Sequence, residues 1–115
     1  MSIQNLLNQL KEEYIQELPQ KIQTIQEHKN NISLLRDDFH KLKGTGKTYG
    51  IPEISELAKH MEWITLAPPA NFEEALTKAI HLLEQIYTFQ TQKRNFSLNE
   101  NPDFLFIKSL SKQPD

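Results

Sequence analysis

Residues 39–50, FHKLKGTGKTYG, hold two sets of side chains suited to phosphate chemistry. Gly46, Lys47 and Thr48 end the stretch as a nucleotide-binding loop ends, and His40 carries an imidazole that can itself accept a phosphoryl group. A nucleotide loop requires G-x-x-x-x-G-K-[ST] between a strand and a helix, because the backbone N–H groups of a glycine-rich turn must wrap the phosphates. The first glycine is replaced by Lys41 and the preceding residues have helical periodicity, so that reading fails twice. No nucleotide site of the chain's own is expected.

The histidine reading rests on helix geometry. Residues three, four and seven apart share a face, so Arg36, His40, Lys43, Gly44 and Lys47 form one stripe beside the apolar line of Phe39 and Leu42. Positive neighbours disfavour an imidazolium, and a neutral imidazole offers a ring nitrogen as nucleophile. Lys43, one turn beyond His40, is placed to offset the charge a phosphoryl group brings. Gly44 and Gly46 each cost a helix about 1 kcal/mol relative to alanine. Either another protein's backbone must approach them closely, or they end the helix early.

Four amphipathic segments would position these residues. Ile3, Leu7, Leu10, Tyr14, Leu18, Ile22 and Ile25 form a first helical stripe, with Pro19 predicting a kink or short break near Leu18. KNN at 29–31 closes it and supplies an asparagine cap to a second helix, which buries Ile32, Leu35, Phe39 and Leu42 and runs to about Lys47. After the turn TYGIP, Pro52 opens a third helix lined by Ile54, Leu57, Ala58, Met61 and Ile64, which APPA stops. Asn71 and Glu74 have capping-box spacing, and Phe72, Ala75, Leu76, Ala79, Leu83, Ile86 and Tyr87 carry a fourth helix to about Gln92. With no alternating strand pattern, the expectation is an all-α, up-and-down antiparallel four-helix bundle over residues 1–95. The tail, 96–115, contains the apolar run Phe104 to Ile107 without a long period. It reads as a strand, a helical turn or a docking segment, packed on the bundle or partly ordered.

Bulk composition agrees with one such domain. A chain of 115 residues buries a single core; 37% hydrophobic and 24% charged residues fit neither a disordered nor a membrane protein. The absence of cysteine removes disulfides and thiolate zinc sites. A net charge of −2 gives no general attraction to nucleic acid or anionic lipid. Acids and glutamines interrupt the N-terminal apolar residues, so neither a signal peptide nor a membrane span is expected, and a cytoplasmic protein is.

The stretch HKLKGTGKTYGIPEISELAKHMEW resembles the signature of histidine-containing phosphotransfer (HPt) domains: H-x-[LI]-K-G, a second glycine six residues on, and a helix of spaced aliphatics ending in LE. His40, Leu42, Lys43, Gly44 and Gly50 match it directly, and Ile54, Leu57, Met61 and Glu62 fall on the later helix; the resemblance covers roughly residues 3–94. It implies a bundle that takes a phosphoryl group on His40 and exchanges it with the aspartate of a response-regulator receiver domain, or receives it from a sensor or hybrid histidine kinase. It further implies that Lys43 assists the phosphoryl group and that Gly44 leaves room for the receiver. Arg36 and Lys47, on the stripe of His40, and Gly50 in the turn are the candidate partner-binding residues. Phe39 stands where the family has a small residue and Met61 where it has leucine, which implies altered packing.

In the kinase-linked relatives used in chemotaxis the glutamate of LE hydrogen-bonds the histidine, and Glu62 occupies that position. Counted from the turn, His40 lies about 8 residues back and Glu62 about 11 forward, an axial mismatch of about 5 Å. The tilt of side chains toward each helix N-terminus closes much of this. Glu62 is either that partner or a solvated surface acid.

The other histidines have different surroundings. His28 ends a helix, and His60 and His81 flank apolar stripes; none shows a convincing metal-ligand spacing, although Glu84 follows His81 by three. No metal or cofactor is expected, and any magnesium would belong to the receiver or kinase. The leading expectation is thus a monomeric phosphoryl carrier, not an enzyme. Its competitors are an HPt-like adaptor that regulates a receiver or kinase without carrying phosphate, and the substrate domain of a larger histidine kinase; Met1 and the compact length favour a free-standing protein.

Overall fold

The structure, a computed structural model, describes residues 2–114; Met1 and Asp115, the outer limits of the 1–95 and 96–115 segments, lie outside the described residues. Among these residues there are five helices and no strand: α1 (Ile3–Glu27), α2 (Ile32–Thr48), α3 (Pro52–Leu66), α4 (Phe72–Thr91) and α5 (Pro102–Leu110). α1 to α4 form a ring in which each helix packs on its chain neighbours and α1 closes against α4, while α5 lies on α3 and α4. Neighbours run antiparallel: Tyr14 meets Thr45 whereas His28 meets Asp38, and Arg36 meets Thr65 whereas His40 meets Glu62.

The core follows the apolar stripes. Leu18, Ile25, Leu35, Phe39, Ile54, Leu57, Met61, Ile64, Leu82, Leu83 and Ile86 are all almost completely buried. Phe39, large where the resembled family is small, has no exposed surface and fills the bundle interior.

α1 bears on its sequence reading at two points. Of the kink or short break expected near Leu18, the break is absent, and the helix is uninterrupted through Pro19. The proline removes one backbone donor, but Leu18 and Ile22 on either side are clamped in the core, and packing on that face outweighs the lost hydrogen bond. The stripe also begins later than expected. Ile3, Leu6 and Leu7 are exposed, and burial starts at Tyr14, because the first turns of α1 project beyond the end of the other helices in a molecule 50 Å long and 28 Å wide.

Asn31 caps α2, its side chain accepting from Leu34 N–H at 3.1 Å. Asn71 also precedes its helix, but the expected capping box does not form. With ψ at 32° its backbone is not extended, its side chain makes no cap hydrogen bond, and its carbonyl accepts from Ala75 N–H instead.

The segment after α4 is helical where it was read without a period. Asn101 caps α5, accepting from Asp103 and Phe104 N–H, and Pro102 occupies the first turn. Phe96, Leu98, Phe104 and Ile107 join the core. His60 on α3 ties this segment down: its Nδ1 lies 2.7 Å from Ser111 Oγ, and its ring meets Trp63 and Phe104 edge-on.

Candidate functional site

The turn between α2 and α3 sets the site. Gly50 adopts φ +81°, a left-handed conformation that side chains disfavour. Ile51 N–H then donates to Gly46 C=O at 2.8 Å and Gly50 N–H to Lys47 C=O at 3.3 Å, the paired bonds of a Schellman closure. The chain reverses and α3 lies along α2, the most intimate helix pair in the molecule. Gly46 permits the approach: a Cβ there would sit 2.8 Å from Ser55 N and 3.0 Å from Ile54 Cβ. Of the two α2 glycines offered to a partner's backbone, Gly46 is therefore used internally, against α3. Gly44 is not; a Cβ built on it meets nothing within 4 Å, and the helix surface there is open.

The buried lines of α2 and α3 turn His40 and Glu62 toward each other across the seam. His40 Nδ1 lies 2.7 Å from Glu62 Oε2, and Lys43 Nζ donates to Glu62 Oε1 at 2.6 Å. The Glu62 side chain is 15% exposed, that of His40 66%. The axial offset counted along the sequence is closed by side-chain tilt and by the tight turn.

The electrostatics fix the imidazole's orientation. Partial burial pushes the Glu62 carboxyl up, but the hydrogen bonds from Lys43 and His40 prevail and hold it below the usual carboxylate range. Near neutral pH Glu62 is thus an anion and accepts from both partners. Nδ1 of His40 therefore carries a proton, and the lone pair of the neutral ring resides on Nε2, on the exposed side. In this state the Lys43 ammonium is committed to Glu62.

The remaining cationic stripe divides. Arg36 donates from Nη2 to Thr65 C=O at 2.8 Å and from Nε to Thr65 Oγ1 at 3.4 Å, anchoring α2 to the C-terminal end of α3. Lys47 is exposed in the last turn of α2, on the His40 side by spacing. GTGKT lies within α2 and its C-terminal turn, where the backbone is helical and not a phosphate-wrapping loop. Sequence reasoning passed over Ser55, whose Oγ donates to Lys43 C=O at 2.6 Å, and Thr65, whose Oγ1 donates to Glu62 C=O at 2.6 Å. Their signal was spacing: Ser55 stands seven residues before Glu62 on the same face of α3.

Two of the other histidines, His28 and His60, have structural partners. His28, at the C-cap of α1, has Nδ1 2.6 Å from Asp38 Oδ2 on α2. His60 Nε2 lies 3.4 Å from Glu56 Oε1, four residues earlier. Among the described residues no three of His, Asp and Glu converge as metal ligands.

The sequence profile of the Hpt domain family matches residues 9–86. No curated protein and no solved structure matches the chain. A profile spanning most of the bundle, with a histidine on its seam, defines a phosphoryl-carrier class and not a catalytic domain. The chain belongs to the Hpt domain family, the phosphotransfer domains of two-component phosphorelays.

Proposed function

We propose that His40 carries the phosphoryl group, exchanging it with a receiver aspartate. The observation that carries this reading is the 2.7 Å contact of Nδ1 with an anionic Glu62 beneath a two-thirds exposed ring. The Nε2 lone pair attacks the phosphorus of an aspartyl phosphate; the N–P bond forms as the P–O bond breaks, and the carboxylate leaves with that electron pair. Nδ1 keeps its proton, so the ring becomes a phosphorylated imidazolium whose positive charge faces Glu62. Lys43 lies one turn away and reaches the phosphoryl oxygens by leaving Glu62. Transfer to the next aspartate is the reverse. The open surface at Gly44 admits the receiver's backbone, and Arg36, Lys47 and Gly50 border the same seam.

The reading includes a cytoplasmic monomer whose partners are a receiver domain and a sensor or hybrid kinase, with no nucleic-acid or membrane partner and no cofactor of its own. It is supported by the small net charge and by the described helices, none of which is long and apolar enough to cross a membrane. A second reading, the substrate domain of a histidine kinase, is favoured by the His40–Glu62 bond, the trait that the resemblance attributes to kinase-linked relatives.

The test is incubation with a phosphorylated receiver, a small phosphodonor, or a kinase with ATP. Acid-labile, base-stable label is expected on the protein and absent from His40→Gln. Equal label on that variant removes His40 from the mechanism. The donor that works fastest separates the two readings.

A further inference from the structure

Two cross-helix clamps bracket the His40–Glu62 pair. On one side Arg36 holds the Thr65 carbonyl; on the other the Ser55 hydroxyl donates to the Lys43 carbonyl at 2.6 Å. Ser55 also lies at a close approach of the two helices, since its backbone nitrogen is the atom a Gly46 Cβ would strike at 2.8 Å. The α2 carbonyl it grips belongs to the same residue whose ammonium bonds Glu62.

Glu62 has little tolerance for a change of register. Both its oxygens are engaged, one by Lys43 at 2.6 Å and one by His40 at 2.7 Å, so a slide of α3 favouring one contact lengthens the other. A displacement of one residue is about 1.5 Å, which stretches a hydrogen bond of this length to between about 3.1 and about 4.2 Å according to its angle to the slide, at or beyond the usual range. Interdigitated apolar side chains set the coarse fit of the seam; a hydroxyl seated on a fixed carbonyl adds a directional tie at this point.

We infer that Ser55 is a positioning residue for phosphotransfer: its grip on the Lys43 carbonyl fixes the α2–α3 register that presents Glu62 to His40 and so keeps the proton on Nδ1. This rests on the phosphoryl-carrier reading, but its first consequence, the tautomer of a resting imidazole, does not require a phosphoryl donor.

The experiment compares wild type, Ser55→Ala and a remote control, Ser109→Ala, which removes a hydroxyl bonded to the Phe106 carbonyl on α5. Long-range ¹⁵N–¹H spectra of the histidine rings report the His40 tautomer, and receiver-to-protein transfer is timed on the same samples. Ser55→Ala is expected to shift His40 from the Nδ1–H toward the Nε2–H form and to slow transfer roughly tenfold, within what a misplacement of about 1 Å costs; Ser109→Ala is expected to do neither. His40 ring signals unchanged in a folded Ser55→Ala protein overturn the inference, whatever the rate. If Ser55→Ala does not fold, Ser55→Cys, which nearly keeps the size but replaces the hydroxyl with a weak donor, must move the same ring signals; a wild-type tautomer there equally overturns the inference. A wild type that accepts no phosphoryl group yet shows the Ser55-dependent shift overturns the transfer reading, and with it the role in transfer, while the hold of Ser55 on the register and tautomer stands.

Discussion

His40 and Glu62, 22 residues apart and on different helices, meet through Nδ1 and Oε2 at 2.7 Å, and the other oxygen of the same carboxylate holds Lys43 at 2.6 Å. One partly buried anion thus orients the imidazole proposed to carry phosphate and restrains the nearest cation.

Replacing Glu62 with glutamine keeps the shape and removes the charge. The amide no longer favours a positive ring, and Lys43 loses its resting partner. Transfer to His40 is expected to slow by roughly ten- to a hundredfold, by analogy with the loss of a carboxylate that orients a metal-ligating histidine. Quenched-flow labelling from a phosphorylated receiver measures it; an unchanged rate removes Glu62 from the mechanism.

Gly44 and Gly46 should respond in opposite directions to alanine. At Gly44 the new methyl meets nothing, so helix propensity alone acts and stability rises by about 0.5–1 kcal/mol. At Gly46 it meets Ser55 N at 2.8 Å, forcing α2 and α3 apart at a cost of about 1–3 kcal/mol. Urea denaturation of the two variants gives the comparison. The stabilised Gly44→Ala protein should nonetheless transfer more slowly, because the methyl stands where the receiver's backbone is proposed to approach.

The asparagines before α2 and α4 provide a similar contrast. Asn31→Ala removes a side-chain cap and should cost about 1 kcal/mol. Asn71 makes no such bond, so Asn71→Ala should change the urea midpoint by much less.

Acid should weaken the attachment of the C-terminal segment. Burial pushes the His60 imidazole below its ordinary value of 6.5, with Glu56 opposing in part. The unfolded chain therefore binds a proton more readily than the folded one. The stability from a neutral His60 is complete above pH 6.5 and is lost as pH falls from there through the folded-state value. Hydrogen exchange of α5 amides at pH 7.5 and 5.5 should show faster opening at the lower pH, and His60→Gln should flatten the difference.

Most of the ring of helices could be read from apolar spacing, because each of α2, α3 and α4 buries one stripe and ends at a recognisable cap, turn or proline. The proximity of His40 and Glu62 was only half readable: a short turn makes position along one helix predict position along the next, but the count left a mismatch of about 5 Å and a solvated acid as the alternative. What escaped was set by tertiary context. The continuity of α1 through Pro19 depends on burial of Leu18 and Ile22, and the exposure of Ile3 and Leu7 depends on where the other helices stop. Gly46 could not be separated from Gly44 by sequence because only the partner helix distinguishes them. α5 had legible marks in Asn101, Pro102 and the three-residue spacing of Phe104, Ile107 and Leu110, but the adjacent Leu105 and Phe106 blurred the period.

Arg36, His40, Lys43, Ser55, Glu62 and Thr65 all lie on α2 and α3, joined by the turn at Gly50. The apparatus proposed to carry phosphate is thus one helical hairpin, and α1, α4 and α5 serve as its buttress. Substitutions on the outer surfaces of those three helices can accumulate without touching the His40 ring, leaving them free to diversify.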